Sequence, residues 1–394
     1  MSQVYVAGFG IVSALGIGAE SNLKHLKKGV SGIRKPKYFH SKYAENYHFG
    51  EVPFSDEDLI RHLSFGTPEN CSRTNILAQL AFEEAIQSAG LSTSELSSFR
   101  TGIISSSTVG GMCNTDDLYA DANEFQDPSQ FIHTYDNANH ALELAKKFKI
   151  KGFMDVINTA CSSSANAIML GTQLLLSNQL DCVIVGGVDS LAKYTVNGFN
   201  SLRILDPAWC KPFDESREGL NLGEGAGYLV LKKSAILEKN TLYVNGYANQ
   251  NDAFHPSATS EEAHGPILAM QKALVKAELV PNQIDYINAH GTGTPNNDRT
   301  ELFAFSQVFD GIPPYSSTKS YTGHTLAAAG AIEAIYSLLA LRHNETWKAL
   351  NNPTPIEHFK AQEKDNLQKE IHHVMSNSFG FGGNCSSLIF SKVV

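Results

Sequence analysis

Eight short apolar runs, rich in β-branched residues and separated by helical patterns, constrain the fold of this chain more than any other feature. They are VYVAGFG (4–10), TGIISSS (101–107), DVIN (155–158), DCVIVGGVD (181–189), AGYLVL (226–231), LYVNGYA (242–248), DYINAHG (285–291) and SSLIF (386–390). Runs that do not alternate with polar residues suit strands covered on both faces. The pattern therefore predicts an α/β protein with sheets sandwiched between helices. Between the runs, NILAQLAFEEAIQSAG (75–90) places Ile76, Leu77, Leu80, Ala81 and Ile86 on one stripe and stops at Gly90, a natural helix end. GPILAMQKALVKAEL (265–279) repeats the pattern.

One internal echo points to duplication. GIISSSTVGG (102–111) and YINAHGTGTP (286–295) both run an apolar strand into a small, hydroxyl-rich turn. The expectation is two similar halves, 1–240 and 241–394. With no low-complexity linker between them, they should share one core.

Composition narrows the partners. Thirty-one basic against 40 acidic side chains leave a net charge of −9, which argues against a nucleic-acid partner. The six cysteines form no C-x-x-C pair and no histidine spacing suits zinc, so no metal site and a reduced, cytoplasmic setting are expected. MSQVYVAGFG lacks a basic signal region, and no run approaches the length of a membrane span, so a soluble protein without a membrane partner is expected.

DVINTACSSSANAIMLGTQLLL reads as a strand, a sharp turn and a helix, with Cys161 in the first helical turn. Unpaired amides and the helix dipole there favour a thiolate over a thiol. Position alone leaves Cys161 open between a small core residue and a nucleophile. Two of the fourteen histidines have suggestive settings. His290 follows a strand in INAHGTGTP; His324 precedes a helical run in KSYTGHTLAAAGAIEA, five residues after Lys319. Each alone also suits a structural role. NSFGFGGN (377–384) has the backbone freedom of a mobile loop, or of a turn between strands.

TACSSS, GEGAGYLVL, AHGTGTP, KSYTGHTLAAAGAIEA and NSFGFGGN, in that order and roughly in spacing, closely resemble the β-ketoacyl-acyl-carrier-protein synthases, and the resemblance covers nearly the whole chain. The Cys-His-His set resembles the elongating branch, because the initiating branch pairs its cysteine with one His and one Asn. The resemblance implies a thiolase-like five-layer αβαβα sandwich and a 3-oxoacyl synthase performing decarboxylative Claisen condensation. It further implies acyl transfer to Cys161, an oxyanion site at the Cys161 and Phe381 amides, and enolate stabilisation by His290 and His324. Lys319 is expected to support His324, with Glu333 behind it. Thr292 and Thr294 would bind pantetheine, Phe381 would gate entry, and Val109 and Phe199 would line the acyl pocket. Cys385 reads as structural. Arg73 and Arg203 are the candidates for meeting an acidic acyl carrier protein. No bound cofactor is expected; 4′-phosphopantetheine arrives on the carrier. A homodimer, or a heterodimer with a chain-length-factor-like subunit, is implied.

Departures from the family pattern qualify the pathway. HGTGTPNND, FGFGGN and the divergent NDAFHPSATSEEAHG, in a somewhat short chain, lean from a housekeeping fatty-acid elongase toward a polyketide or polyene system. Two other readings stand beside this one. A non-catalytic chain-length partner would lack the cysteine that is present here, and a cysteine hydrolase would leave the second histidine and Lys319 without a role.

Overall fold

The computed structural model describes residues 2–67, 72–124, 128–356 and 370–394. Its strands are β1 (Gln3–Ser13), β2 (Thr101–Ser106), β3 (Met154–Ile157), β4 (Cys182–Asp189), β5 (Gly225–Ser234), β6 (Leu242–Asn251), β7 (Tyr286–Asn288), β8 (Tyr315–Ser316), β9 (His373–Gly380) and β10 (Asn384–Lys392). A two-residue strand, Gly16–Ile17, folds back on β1. The helices that shape the site are α1 (Arg73–Ser88), α2 (Asn139–Lys147), α3 (Ser163–Leu176), α4 (Lys193–Ser201), α5 (His264–Ala277), α6 (Pro295–Val308) and α7 (Ala329–His343).

The strand path is β3-β2-β4-β5-β1-β6-β10-β9-β7-β8. Each half thus orders its five strands 3-2-4-5-1 in its own chain order. In each, the first three neighbours are parallel and the last two pairings antiparallel. The halves meet edge to edge through β1 and β6, in register at Val4 with Val244 and Tyr5 with Tyr243.

Helices α3 and α7 pack between the two halves of the sheet, α1 and α2 cover the outside of the first half, and α5 and α6 cover the outside of the second. The result is a five-layer αβαβα sandwich. The layering explains the unbroken apolar runs: on β4, Val183 and Val185 face the central core while Cys182 and Ile184 face the outer one. On β10, Leu388 and Phe390 face inward and Ile389 outward. Helix α1 ends as its sequence predicts, with Gly90 at φ +62 just past the last turn. None of the described helices is long and apolar enough to cross a membrane.

The two central helices touch at their N-terminal ends. A Cβ on Gly330 would lie 2.7 Å from the Ala165 nitrogen, and the Ala331 N–H donates to Ser164 Oγ at 2.8 Å. Backbone stands against backbone there, with no flexible side chain to yield. Gly330→Val should lower the thermal midpoint, with a loss of about 1–3 kcal/mol. An unchanged melting curve by scanning calorimetry would contradict this packing.

Candidate active site

Strand β3 runs into Asn158, Thr159 and Ala160, and the turn is sharp enough to force Ala160 to φ +53. Local bonds hold it: Ser163 Oγ donates to the Ala160 carbonyl at 2.5 Å and accepts from the Thr159 N–H at 2.8 Å. Ser162 is the N-cap of α3, so Cys161 stands one residue before the cap and not within the first turn. The side chain is buried, and its Sγ lies 2.9 Å from His324 Nε2.

The second half supplies the histidines. His290 follows the end of β7, where its own N–H and that of Gly291 both donate to Glu301 at 2.8 Å. His324 follows Gly323 (φ +70) and is tied through its backbone to Asn221 at 2.7 Å. The sulfur and ring nitrogens of Cys161, His290 and His324 lie within 4.8 Å of one another. Lys319, fully buried, places Nζ 3.2 Å from His290 Nδ1, 2.7 Å from the His290 carbonyl and 2.5 Å from Glu333 Oε1. The expected Glu333 partnership holds, but the ammonium hydrogen-bonds His290, and it reaches His324 only by its charge. Sequence nearness suggested the opposite; β7 and the 317–322 segment are neighbours in space.

Protonation follows from burial. Burial, reinforced by the Lys319 charge, holds both imidazoles well below their ordinary range, so both rings are neutral at pH 7. The Leu326 N–H donates to His324 Nδ1 at 3.2 Å, and Lys319 donates to His290 Nδ1. Those contacts assign the one ring proton of each imidazole to Nε2. Burial pushes the Cys161 thiol up to about 11, against the opposing pull of Lys319 and of the Phe381 and Cys161 amides. The expected thiolate is therefore corrected: desolvation outweighs the helix terminus.

Gly380 brings the last loop against this turn; a Cβ there would sit 2.8 Å from the Thr159 carbonyl and 3.2 Å from the Cys161 nitrogen. The Phe381 ring stacks on Phe199 with centroids 5.8 Å apart. Both rings line a cavity of about 340 Å³ that also contacts Cys161, both histidines, Thr292, Thr294 and Arg203. The two threonine hydroxyls are 2.9 Å apart. Val109 is buried in the same apolar cluster as Phe199, behind the cavity wall. Cys385 is buried under Phe379, as its structural reading requires.

Of the two arginines proposed for carrier contact, only Arg203 is exposed beside the cavity. Arg73 is withdrawn from that role. It is mostly buried, forks onto Glu224 at 2.7 and 3.0 Å, and also pairs with Asp56. Sequence reading missed Asn384, whose Oδ1 accepts from Ser162, Asn166 and Asn249 at 2.7, 2.9 and 2.6 Å. The only signal was its unusual place after FGFGG.

Residues 1–235 match the family described as Beta-ketoacyl synthase, N-terminal domain, and residues 242–352 its C-terminal domain. The chain is 33% identical to 3-oxoacyl-[acyl-carrier-protein] synthase 2 of Coxiella burnetii, over 99% of both chains. It is 32% identical to the mitochondrial 3-oxoacyl-[acyl-carrier-protein] synthase of Arabidopsis thaliana, over 99% of this chain and 93% of that one. Among solved structures, the ishigamide ketosynthase/chain length factor superposes with a TM-score of 0.91 at 27% identity, covering 100% and 99% of the two chains. A ketosynthase in complex with its chain length factor from Xenorhabdus doucetiae gives 0.83 at 30% identity, covering 100% and 98%.

The raised thiol makes a direct test. Site-resolved alkylation of Cys161 by iodoacetamide should rise about tenfold per pH unit from pH 7 to about 10, because the thiolate fraction keeps growing toward a pKa of about 11. A plateau below pH 9 would show that the helix terminus wins over burial.

Proposed function

The chain belongs to the β-ketoacyl synthase family, and from that premise we propose that it is a 3-oxoacyl-[acyl-carrier-protein] synthase whose condensation runs through Cys161, His290 and His324. The observation that carries this reading is the Cys161 sulfur, 2.9 Å from the His324 imidazole, with the second neutral imidazole of His290 alongside.

Acyl transfer begins with Sγ attacking the thioester carbonyl of the acyl carrier. The tetrahedral oxyanion takes the N–H groups of Cys161 and Phe381, and losing one such donor typically costs about 2.7–4 kcal/mol in the barrier. The carbon–sulfur bond to the carrier breaks, and the thiol proton of Cys161 leaves with the carrier thiolate. His324 does not serve as the base, since its pKa is low and its Nδ1 is engaged by Leu326.

The malonyl carrier then loses CO2, leaving an enolate whose oxygen accepts the Nε2–H groups of His290 and His324. Neutral donors suit this step, because they stabilise the developing charge without quenching the carbon nucleophile by proton transfer. The enolate carbon attacks the acyl-cysteine carbonyl, the Cys161 C–S bond breaks, the released thiolate takes a proton from solvent to restore the thiol, and the 3-oxoacyl carrier departs. Thr292 and Thr294 line the cavity, which supports their bonding the amides of the carrier's 4′-phosphopantetheine, and the stacking of Phe381 on Phe199 supports a gate there.

Acyl carrier protein is the partner, with Arg203 at the cavity rim as its contact. Strand β3 ends the sheet with Phe153 and Met154 exposed, which supports pairing with a second chain, its own copy or a chain-length-type subunit. The HGTGTPNND and FGFGGN variations support a polyketide or polyene pathway, and the likeness to structures of ketosynthases with chain length factors supports a heterodimer. The intact Cys-His-His set speaks against a chain-length-type partner role for this chain itself.

Incubation with acyl carrier and malonyl carrier should release CO2 and a 3-oxoacyl product; free acid alone would support hydrolysis instead. Cys161→Ala should abolish acyl transfer. Cys161→Gln should retain malonyl decarboxylation, with a rate flat from pH 8 down through the ordinary histidine value of about 6.5, because both imidazoles stay neutral there. Full condensation by either variant, or a fall in decarboxylation centred near 6.5, would break the mechanism. Arg203→Glu should raise the KM for carrier-bound substrate and flatten its salt dependence; unchanged values would place the docking face elsewhere.

A further inference from the structure

Asp189, the last residue of β4, is fully buried and lies outside the machinery described above. Its carboxylate is nonetheless heavily engaged. Oδ1 accepts from Ser107 Oγ at 2.6 Å and from the N–H groups of Thr108 and Val109 at 2.9 and 2.8 Å. Oδ2 accepts from Thr108 Oγ1 at 2.6 Å and from the Ala327 N–H at 2.8 Å. These donors come from two loops that are far apart in sequence. The first, after β2, carries Val109; the second, between His324 and α7, carries Leu326 and Ala327.

The second loop is strained. Leu326 sits at φ +52, a left-handed conformation that a leucine does not adopt unaided. Its own N–H is the donor to His324 Nδ1, and the next amide, Ala327 N–H, is the one that Asp189 holds. Leu326 and Val109 both belong to the buried apolar cluster against which Phe199 packs. One carboxylate thus pins the backbone behind the acyl-pocket wall and the backbone that reads the histidine.

We propose that Asp189 is a positioning residue for His324: by holding the Leu326–Ala327 peptide it keeps the Leu326 N–H on Nδ1, and so keeps His324 as the Nε2–H tautomer directed at Cys161. Its kinetic readout rests on the condensing reading; its spectroscopic readout does not.

The test uses Asp189→Asn, which preserves size but turns an N–H group toward donors that need an acceptor. With 15N-labelled histidine, and His324 assigned by its loss in His324→Ala, the wild-type protein should show an unprotonated Nδ1 and a protonated Nε2. Asp189→Asn should show a mixture of tautomers. In the Cys161→Gln background, the same substitution should lower the kcat of malonyl decarboxylation on the order of 10–100-fold with little change in KM, the usual cost of losing an orienting partner. A folded Asp189→Asn protein with wild-type His324 nitrogen shifts, or with unchanged decarboxylation, overturns the proposal. If Asp189→Asn does not fold, Thr108→Val decides. It removes the hydroxyl that shares Oδ2 with Ala327 and should shift the same two readouts in part; no shift in either overturns the proposal. A wild-type protein that decarboxylates nothing would sink the condensing reading and leave the tautomer comparison standing.

Discussion

The Lys319 ammonium is the charge around which the site is organised. It is buried with three acceptors, one of them the Glu333 carboxylate, and a buried cation survives only with such compensation. From that position it acts on three groups at once. It adds to the burial that keeps His290 and His324 unprotonated, and it opposes the burial that raises the Cys161 thiol. Glu333 has a matching dependence: burial raises its carboxyl to about 7, and Lys319 is what resists. Burial makes the imidazoles good neutral donors but makes the thiol reluctant to ionise. One fixed positive charge serves the first need and moderates the second.

Duplication explains how such a site can be assembled. In each half the third strand runs through a short segment into the central helix: β3 to Cys161 to α3, and β8 through Lys319 and His324 to α7. The second strand of each half ends in the hydroxyl-rich turn, after β2 at 107–111 and after β7 at His290 to Thr294. Because the central helices meet at Gly330 and Ala165, equivalent segments of the two copies face each other across one seam. The nucleophile and the electrostatic groups are thereby carried by different halves and brought together by the shared core. Neither half alone holds the set.

Much of this was legible in the sequence, for physical reasons. A strand covered on both faces reveals itself by an unbroken apolar run, and the echo at 102–111 and 286–295 marked the second strand of each copy. What failed were judgements about charge. Lys319 was attached to the histidine five residues away, although the one that it bonds lies 29 residues back and next to it in space. Arg73 looked like a surface group because nothing in a sequence shows that Glu224, 151 residues on, closes over it. Cys161 was credited with a helix terminus whose benefit burial overrides. Pattern reveals which faces are apolar; it does not reveal how much water a given polar atom keeps.

The loop at 380–383 is held on two sides. On one side, Asn384 Oδ1 gathers donors from Ser162, Asn166 and Asn249, which anchors the start of β10 to the nucleophile helix. On the other, the Gly382 N–H reaches the Pro256 carbonyl at 2.7 Å, and Gly383 accepts from Asp252 at 2.8 Å. Gly382 has open space where a Cβ would be, so its glycine is needed for backbone conformation, at φ +80, and not for room. If Phe381 gates the cavity as proposed, swinging it away from Phe199 would strain the contacts to 252 and 256, which the neighbouring glycines make, and not those that Asn384 makes to α3. The Phe381 backbone follows Gly380, which packs against the Cys161 nitrogen, so ring and backbone would move together. On the proposed roles of Phe381, opening the gate would also displace the proposed oxyanion donor, and condensation would require the loop to close again once the malonyl group is in place.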